Sequence, residues 1–171
     1  MNEEGSIIEK ATAEGFLHLY NRHFRTTFEI KELSDTPDVR CGDTEGNELN
    51  IEVTLTQDRD KDIQALLGRS EHKSIKSLEE HNQRVAEGKE TPMFSSLFGN
   101  VCENAATKIN NKLLMRYGQN TALVARDSSG CDWEWNEVTE ELKGKLKLNS
   151  NPFDKGIWIL NFSKSKLYQI V

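Results

Sequence analysis

Two residues in the segment TPDVRCGDTEGNELNIEVTLTQ, Thr36 to Gln57, have the type and spacing to do chemistry. Asp38 follows a proline, and Glu52 stands between Ile51 and Val53 in a run that otherwise reads as a core strand. Strand side chains alternate between faces, so Asn50, Glu52 and Thr54 share one face of LNIEVTL and Ile51, Val53 and Leu55 the other. The apolar face belongs against a core helix. Glu52 is then expected to meet water, a partner charge or a metal. DVRC reads as a short strand, GDTEGNE as a turn and LNIEVTLT as a second strand, a hairpin that would set Asp38 beside Glu52. Adjacent carboxylates repel, and each raises the pKa of the other unless something positive lies between them. A divalent cation resolves the conflict. Mg²⁺ takes a few carboxylate or carbonyl oxygens and keeps several waters, and the backbone carbonyl of Val53 is a well-placed further ligand. A cation so held can activate a water and hold a phosphate oxygen, which phosphodiester hydrolysis requires. Mn²⁺ is expected to substitute for it. The plainer reading is a solvated acid on an exposed strand and a Pro-Asp pair at a turn.

The elements that must position these residues follow from periodicity. SIIEKATAEGFLHLYNRHF has apolar residues at helical spacing with Ser6 as its N-cap, and RTTFEIKEL alternates as a strand. Residues 58 to 90 are polar and charged, with Ile63, Leu66 and Leu67, then Ile75, Leu78 and Val85, suggesting two thin helices ended by Gly88. SSLFGNVCENAATKINNKLLMRYGQ is the strongest helix, with Val101, Ala105, Ile109 and Leu113 four apart and Gly118 as its stop. TALVAR, a short helix in DWEWNEVTEELKGKLK, GIWILNF and KLYQIV complete the chain. Strands before and after a helix point to an α/β domain with a mixed central sheet flanked by helices. The whole chain, 1–171, is expected to form one domain, with a charged helical insertion or flap at about 58–95.

Composition narrows the function classes. No apolar run is long enough to span a membrane, and the acidic start MNEEGSIIEK lacks the apolar segment of a signal peptide, so a cytoplasmic protein is expected. Cys41, Cys102 and Cys131 form neither a CxxC pair nor a Cys/His metal pattern and read as buried free thiols. The net charge of −6 argues against a general nucleic-acid coat. Yet from Asn104 to Arg126 there are Lys108, Lys112, Arg116 and Arg126 and no acid, a local basic face that suits a phosphate backbone. His72 and His81 read as solvated helix residues, and Trp133 and Trp135 as core or helix-edge packing. There is no GxxxxGK phosphate loop and no Gly-x-Ser-x-Gly elbow.

PDVRC followed by NIEVT resembles the signature of the PD-(D/E)XK nuclease superfamily, and the order of elements and the ending NPFDKGIWILNFSKSKLYQIV are similar to its bacterial members. The resemblance implies a restriction-endonuclease-like core and a magnesium-dependent nuclease acting on DNA, with Asp38 and Glu52 as metal ligands. Many relatives work as dimers, so a homodimer is a further expectation. The departure is Thr54, where the family pattern usually has a lysine that stabilises charge at the phosphate. In one reading the lysine has migrated to the long helix, at Lys108 or Lys112. Lys108, nearer the middle of the helix, is slightly favoured. In the other the site is degenerate and the domain binds without cutting. The superfamily often adds a carboxylate from its first helix, for which Glu9 and Glu14 are candidates. Gln57, just past the strand, is a candidate substrate contact. A third reading is an unrelated α/β protein acting through partner contacts at 58–95.

Overall fold

The computed structural model describes residues 3–56, 83, 86–89, 98–127, 134–162 and 164–171. Helix α1 (Glu3–Phe24) leads into strands β1 (Glu29–Leu33), β2 (Val39–Gly42) and β3 (Glu48–Leu55). Helix α2 (Phe98–Leu113), β4 (Thr121–Asp127), α3 (Trp135–Lys145), β5 (Ile157–Asn161) and β6 (Lys166–Gln169) follow. The strands form one six-stranded sheet in sequence order. β1, β2 and β3 pair antiparallel, β3, β4 and β5 parallel, and β6 returns antiparallel to β5. The fold is therefore α/β with a mixed sheet flanked by helices, as the alternation of elements predicts. The two crossover helices, α2 and α3, cover one face of the sheet, and α1, which precedes β1, covers the other.

Each face of the sheet carries its own core. On one face, Phe16, Leu17 and Tyr20 of α1 pack on Val39, Leu49, Ile51, Val53, Val124 and Trp158. On the other, Cys102, Ala105, Ile109 and Leu113 of α2 pack with Val138 and Leu142 of α3 on Leu123, Ala125, Ile157 and Ile159. The apolar face of β3 thus meets α1, and its Glu52 face lies under α2 rather than in water, with Glu52 only 2% exposed. Of the three expected partners, water, a partner charge or a metal, Glu52 meets a partner charge; period-two alternation separates the two faces of a strand and is silent on what covers each.

The hairpin turn between β2 and β3 forms as expected. Asp43 Oδ1 accepts from the N–H groups of Glu45 (2.9 Å) and Asn47 (2.8 Å), and Gly46 takes a left-handed φ of 86°. Other boundaries shift. α1 begins at Glu3, so Ser6 lies inside its first turns and is not the N-cap. β1 spans only Glu29–Leu33 of the expected longer strand. α2 stops at Leu113, short of Gly118. The N–H groups of Leu114 and Met115 bond to the carbonyls of Asn111 (3.3 Å) and Lys112 (3.1 Å) in a tightened final turn. Cys41 and Cys102 are buried free thiols. Burial pushes Cys41 up to about 12. Trp135 is buried and stacks on Tyr168, centroids 5.5 Å apart. Of the charged segment, Glu87 N–H bonds to Gln83 C=O (3.0 Å) and Gly88 takes φ 71°, the conformation of a helix stop. The rest of the expected 58–95 flap, with Gln57, His72, His81, Cys131 and Trp133, lies outside the described residues. Among the described residues no helix is long and apolar enough to cross a membrane.

Candidate active site

The Pro-Asp pair sits where the β2–β3 ladder ends. Val39 pairs with Ile51 and Cys41 with Leu49, so the next residue of this ladder on β3, Val53, would face Pro37. Proline has no N–H to offer. The chain turns away there through a cis Thr36–Pro37 peptide, closed by the Ser34 hydroxyl donating to the Pro37 carbonyl and by Ser34 N–H donating to Asp38 C=O (2.8 Å). Asp38 therefore precedes β2 instead of opening it, and its carboxylate replaces the missing rung: Oδ2 accepts from Val53 N–H at 2.7 Å. Even-numbered β3 residues face β4, as Asn50 N–H to Asn120 C=O (2.7 Å) and Thr56 N–H to Arg126 C=O (3.0 Å) show. A strand residue's N–H and C=O share a side. The Val53 carbonyl is thus turned toward Asp38, where it was expected as a ligand.

Glu52 is fixed from α2. Lys112 Nζ pairs with its Oε1, and Tyr117 O–H donates to the same oxygen at 3.2 Å. Lys112 follows from the apolar stripe: it adjoins Leu113, the last buried residue of α2, and sits in the final turn, where a cation complements the helix dipole. Of the two candidate lysines, the slightly favoured one was Lys108. That residue lies one turn back, about 6 Å along the axis, and the lysine that reaches Glu52 is Lys112. Tyr117 was missed in the sequence, where it read only as the residue before a helix stop. Its ring packs on Phe153, centroids 4.7 Å apart, and its hydroxyl's pKa is pushed up by burial and then by the charge of Glu52.

Glu9 on α1 is near enough for its charge to act on Asp38 and to feel that of Glu52. Its Oε2 and the Oε2 of Glu52 are both buried without a hydrogen-bond partner. Burial raises the pKa of Glu9, the charge of Glu52 raises it further, and Lys112 opposes the shift. Asp38 is pushed up to about 7, chiefly by burial, with the Val53 N–H acting against it and the charges of Glu52 and Glu9 adding to it. The three carboxyls therefore share one field, with the Lys112 ammonium the cation that acts on all three. Glu14 does not join them: it makes an exposed pair with Lys10 at 4.0 Å. Thr54 is half-buried on the Glu52 side of β3, in register with Ala125.

The chain matches no family model, no curated protein and no solved structure. The site must be judged on its own chemistry. Carboxylate and carbonyl oxygens are the donor set of a hard cation, and one buried oxygen each of Glu9 and Glu52 makes no hydrogen bond within the protein. Among the described residues, no group of three His, Cys, Asp or Glu side chains is placed to hold a metal ion, so Glu9, Asp38 and Glu52 suit a hard cation by type and not by their spacing here. The donor set fits Mg²⁺ or Mn²⁺ with water completing the shell, and Lys112 holds one of the Glu52 oxygens in this arrangement.

Proposed function

We propose that this chain is a PD-(D/E)XK nuclease with a restriction-endonuclease-like core, a Mg²⁺-dependent hydrolase of DNA phosphodiesters. The observation that carries the reading is the Lys112–Glu52 pair, with Asp38 and Glu9 in the same electrostatic field and one buried oxygen each of Glu52 and Glu9 without a hydrogen-bond partner. The element order and the Pro-Asp placement at the end of a ladder support it.

Glu9, Asp38, Glu52 and the Val53 carbonyl would hold the metal, which when bound supplies a water of lowered pKa and an electrophile for a phosphate oxygen. Asp38 is oriented by the Val53 N–H. Tyr117 anchors Oε1 of Glu52, leaving Oε2 for the cation. Lys112 would leave Glu52 as the metal takes over that charge and set its ammonium against the developing negative charge at phosphorus, the role Thr54 cannot fill. Asp38 must lose its proton to hold the cation, so metal affinity should rise as pH passes through about 7.

A second reading keeps the fold without the chemistry: a nucleic-acid- or partner-binding module in which the Lys112 ammonium permanently occupies the cation position. The buried Lys112–Glu52 pair favours it. Cleavage of plasmid and single-stranded DNA with Mg²⁺ and Mn²⁺ separates the two. The nuclease reading expects metal-dependent cutting that Glu52→Ala abolishes and Lys112→Ala reduces about a thousandfold. DNA binding indifferent to metal, with no cutting by the wild type, belongs to the module.

A further inference from the structure

Beside the carboxylates, α2 ends in a turn whose apolar side chains face water. Leu114 is 82% exposed and Met115 48%. Arg116 follows, also exposed, in the acid-free run from Asn104 to Arg126. The turn is tied to the site through one atom: the Tyr117 hydroxyl contacts Met115 Sδ at 3.5 Å and Glu52 Oε1 at 3.2 Å. Met115 thus lies at most about two base rises of nucleic acid from the carboxylate. A cleft of ≈ 600 Å³ runs along the β2–β3 hairpin, lined by Glu32, Arg40, Asp43, Glu48 and Asn50, and reaches Gly118, just past this turn.

Resting on the nuclease reading, we propose that this turn binds the substrate itself and that the substrate is nucleic acid with unstacked bases. Lys112 and the exposed Arg116, four residues apart, supply the positive charge at this end of α2, with Arg116 as a phosphate contact, while Arg126 is buried against Phe162 and takes no part. Leu114 and Met115 offer apolar surface that gains by leaving water, and the apolar surface of a nucleic acid is the face of a base. A matched duplex hides those faces, and wedging a side chain between stacked bases costs unstacking energy. A single strand, a flap or an unpaired bubble presents them at no such cost. The turn therefore selects unpaired substrate next to the scissile phosphate.

The test is cleavage by the full chain, with Mg²⁺ or Mn²⁺, of one labelled sequence as a single strand, a matched duplex and the duplex with an unpaired bubble. Wild type should cut the unpaired forms about tenfold or more faster in kcat/KM than the matched duplex. The Leu114→Ser/Met115→Ser variant should bring that ratio close to one, by losing rate on the unpaired forms. Arg116→Ala should weaken binding to all three alike and lower the salt slope by about one. Both apolar residues are exposed, so circular dichroism should show the double variant folded and melting with wild type. An unchanged ratio in the double variant, or a wild-type preference for matched duplex, overturns the proposal and leaves the nuclease reading standing. A wild type that cuts none of the three overturns both. A dimer that the double variant dissolves assigns the patch to a second copy of the chain and also overturns it.

Discussion

Two buried polar clusters lie four residues apart, at Glu52 in β3 and at Thr56 just past its end, and they are built differently. At Thr56 the hydroxyl meets Asp127 Oδ1 at 3.1 Å. The neighbouring Arg126 lays its guanidinium 3.7 Å over the Phe162 ring and donates to Thr12 Oγ1 at 3.3 Å. Thr12 in turn donates to the Ile8 carbonyl at 2.6 Å. Each of these groups has a protein partner. At Glu52, two carboxylate oxygens have none and the carboxyls of Asp38 and Glu9 are pushed up by burial and mutual repulsion. Buried polar groups are ordinarily hydrogen-bonded, and unpaired ones cost stability. The Thr56 cluster holds the sheet to α1. The Glu52 cluster keeps a cost that a bound cation would remove.

The largest effect expected of breaking this contrast is at Lys112. Lys112→Ala strands a carboxylate that is 2% exposed and should destabilise the fold by about 3 kcal/mol in urea denaturation. Adding Glu52→Leu should recover most of that loss, because the buried charge goes with its partner. A loss that the second substitution deepens would contradict the assignment.

Asp38 gives the next effect, in the pH dependence. It titrates at about 7 when folded, against about 3.9 unfolded. The folded state therefore holds the proton more tightly. The resulting stability is fully present below about pH 4 and is lost as pH climbs through about 7. Glu9 acts in the same direction. Metal-free protein should become less stable across that window, and Asp38→Asn should flatten most of the slope in denaturant midpoints taken across it.

Smaller effects sharpen the other side. Thr56→Val should cost about 1 kcal/mol, one net hydrogen bond, with metal affinity unchanged. Glu14→Gln, which loses only an exposed pair with Lys10, should stay within about 0.5 kcal/mol of wild type in the same measurement. A metal-binding defect from either would blur the distinction between the two clusters.

Much of the fold was legible because local periodicity carried it. Alternation in LNIEVTL, the four-residue spacing of Ala105, Ile109 and Leu113, and the turn at Asp43–Asn47 all appear in the structure. The hairpin that brings Asp38 to β3 was also legible, but the bond from Val53 N–H to its carboxylate was not, because it fills a rung left open where the strand pairing stops at Pro37. The choice of Lys112 over Lys108 was not. It depends on how far α2 slides along β3, which packing of Ala105, Ile109 and Leu113 decides and spacing cannot. Tyr117 left only a weak signal, a lone aromatic after the helix, because its role rests on contacts with Phe153 and Glu52, distant in sequence. The burial of Glu52 was hidden for the same reason: a strand's polar face looks solvated until the second helix layer is placed.

The most direct test of the central claim is Mn²⁺ binding followed by electron paramagnetic resonance at about pH 8, where Asp38 is ionised. Wild type, Glu52→Gln and Thr56→Val are compared. The account predicts a bound Mn²⁺ signal in wild type and Thr56→Val that Glu52→Gln loses. No bound Mn²⁺ in wild type, or equal binding in all three proteins, would contradict it.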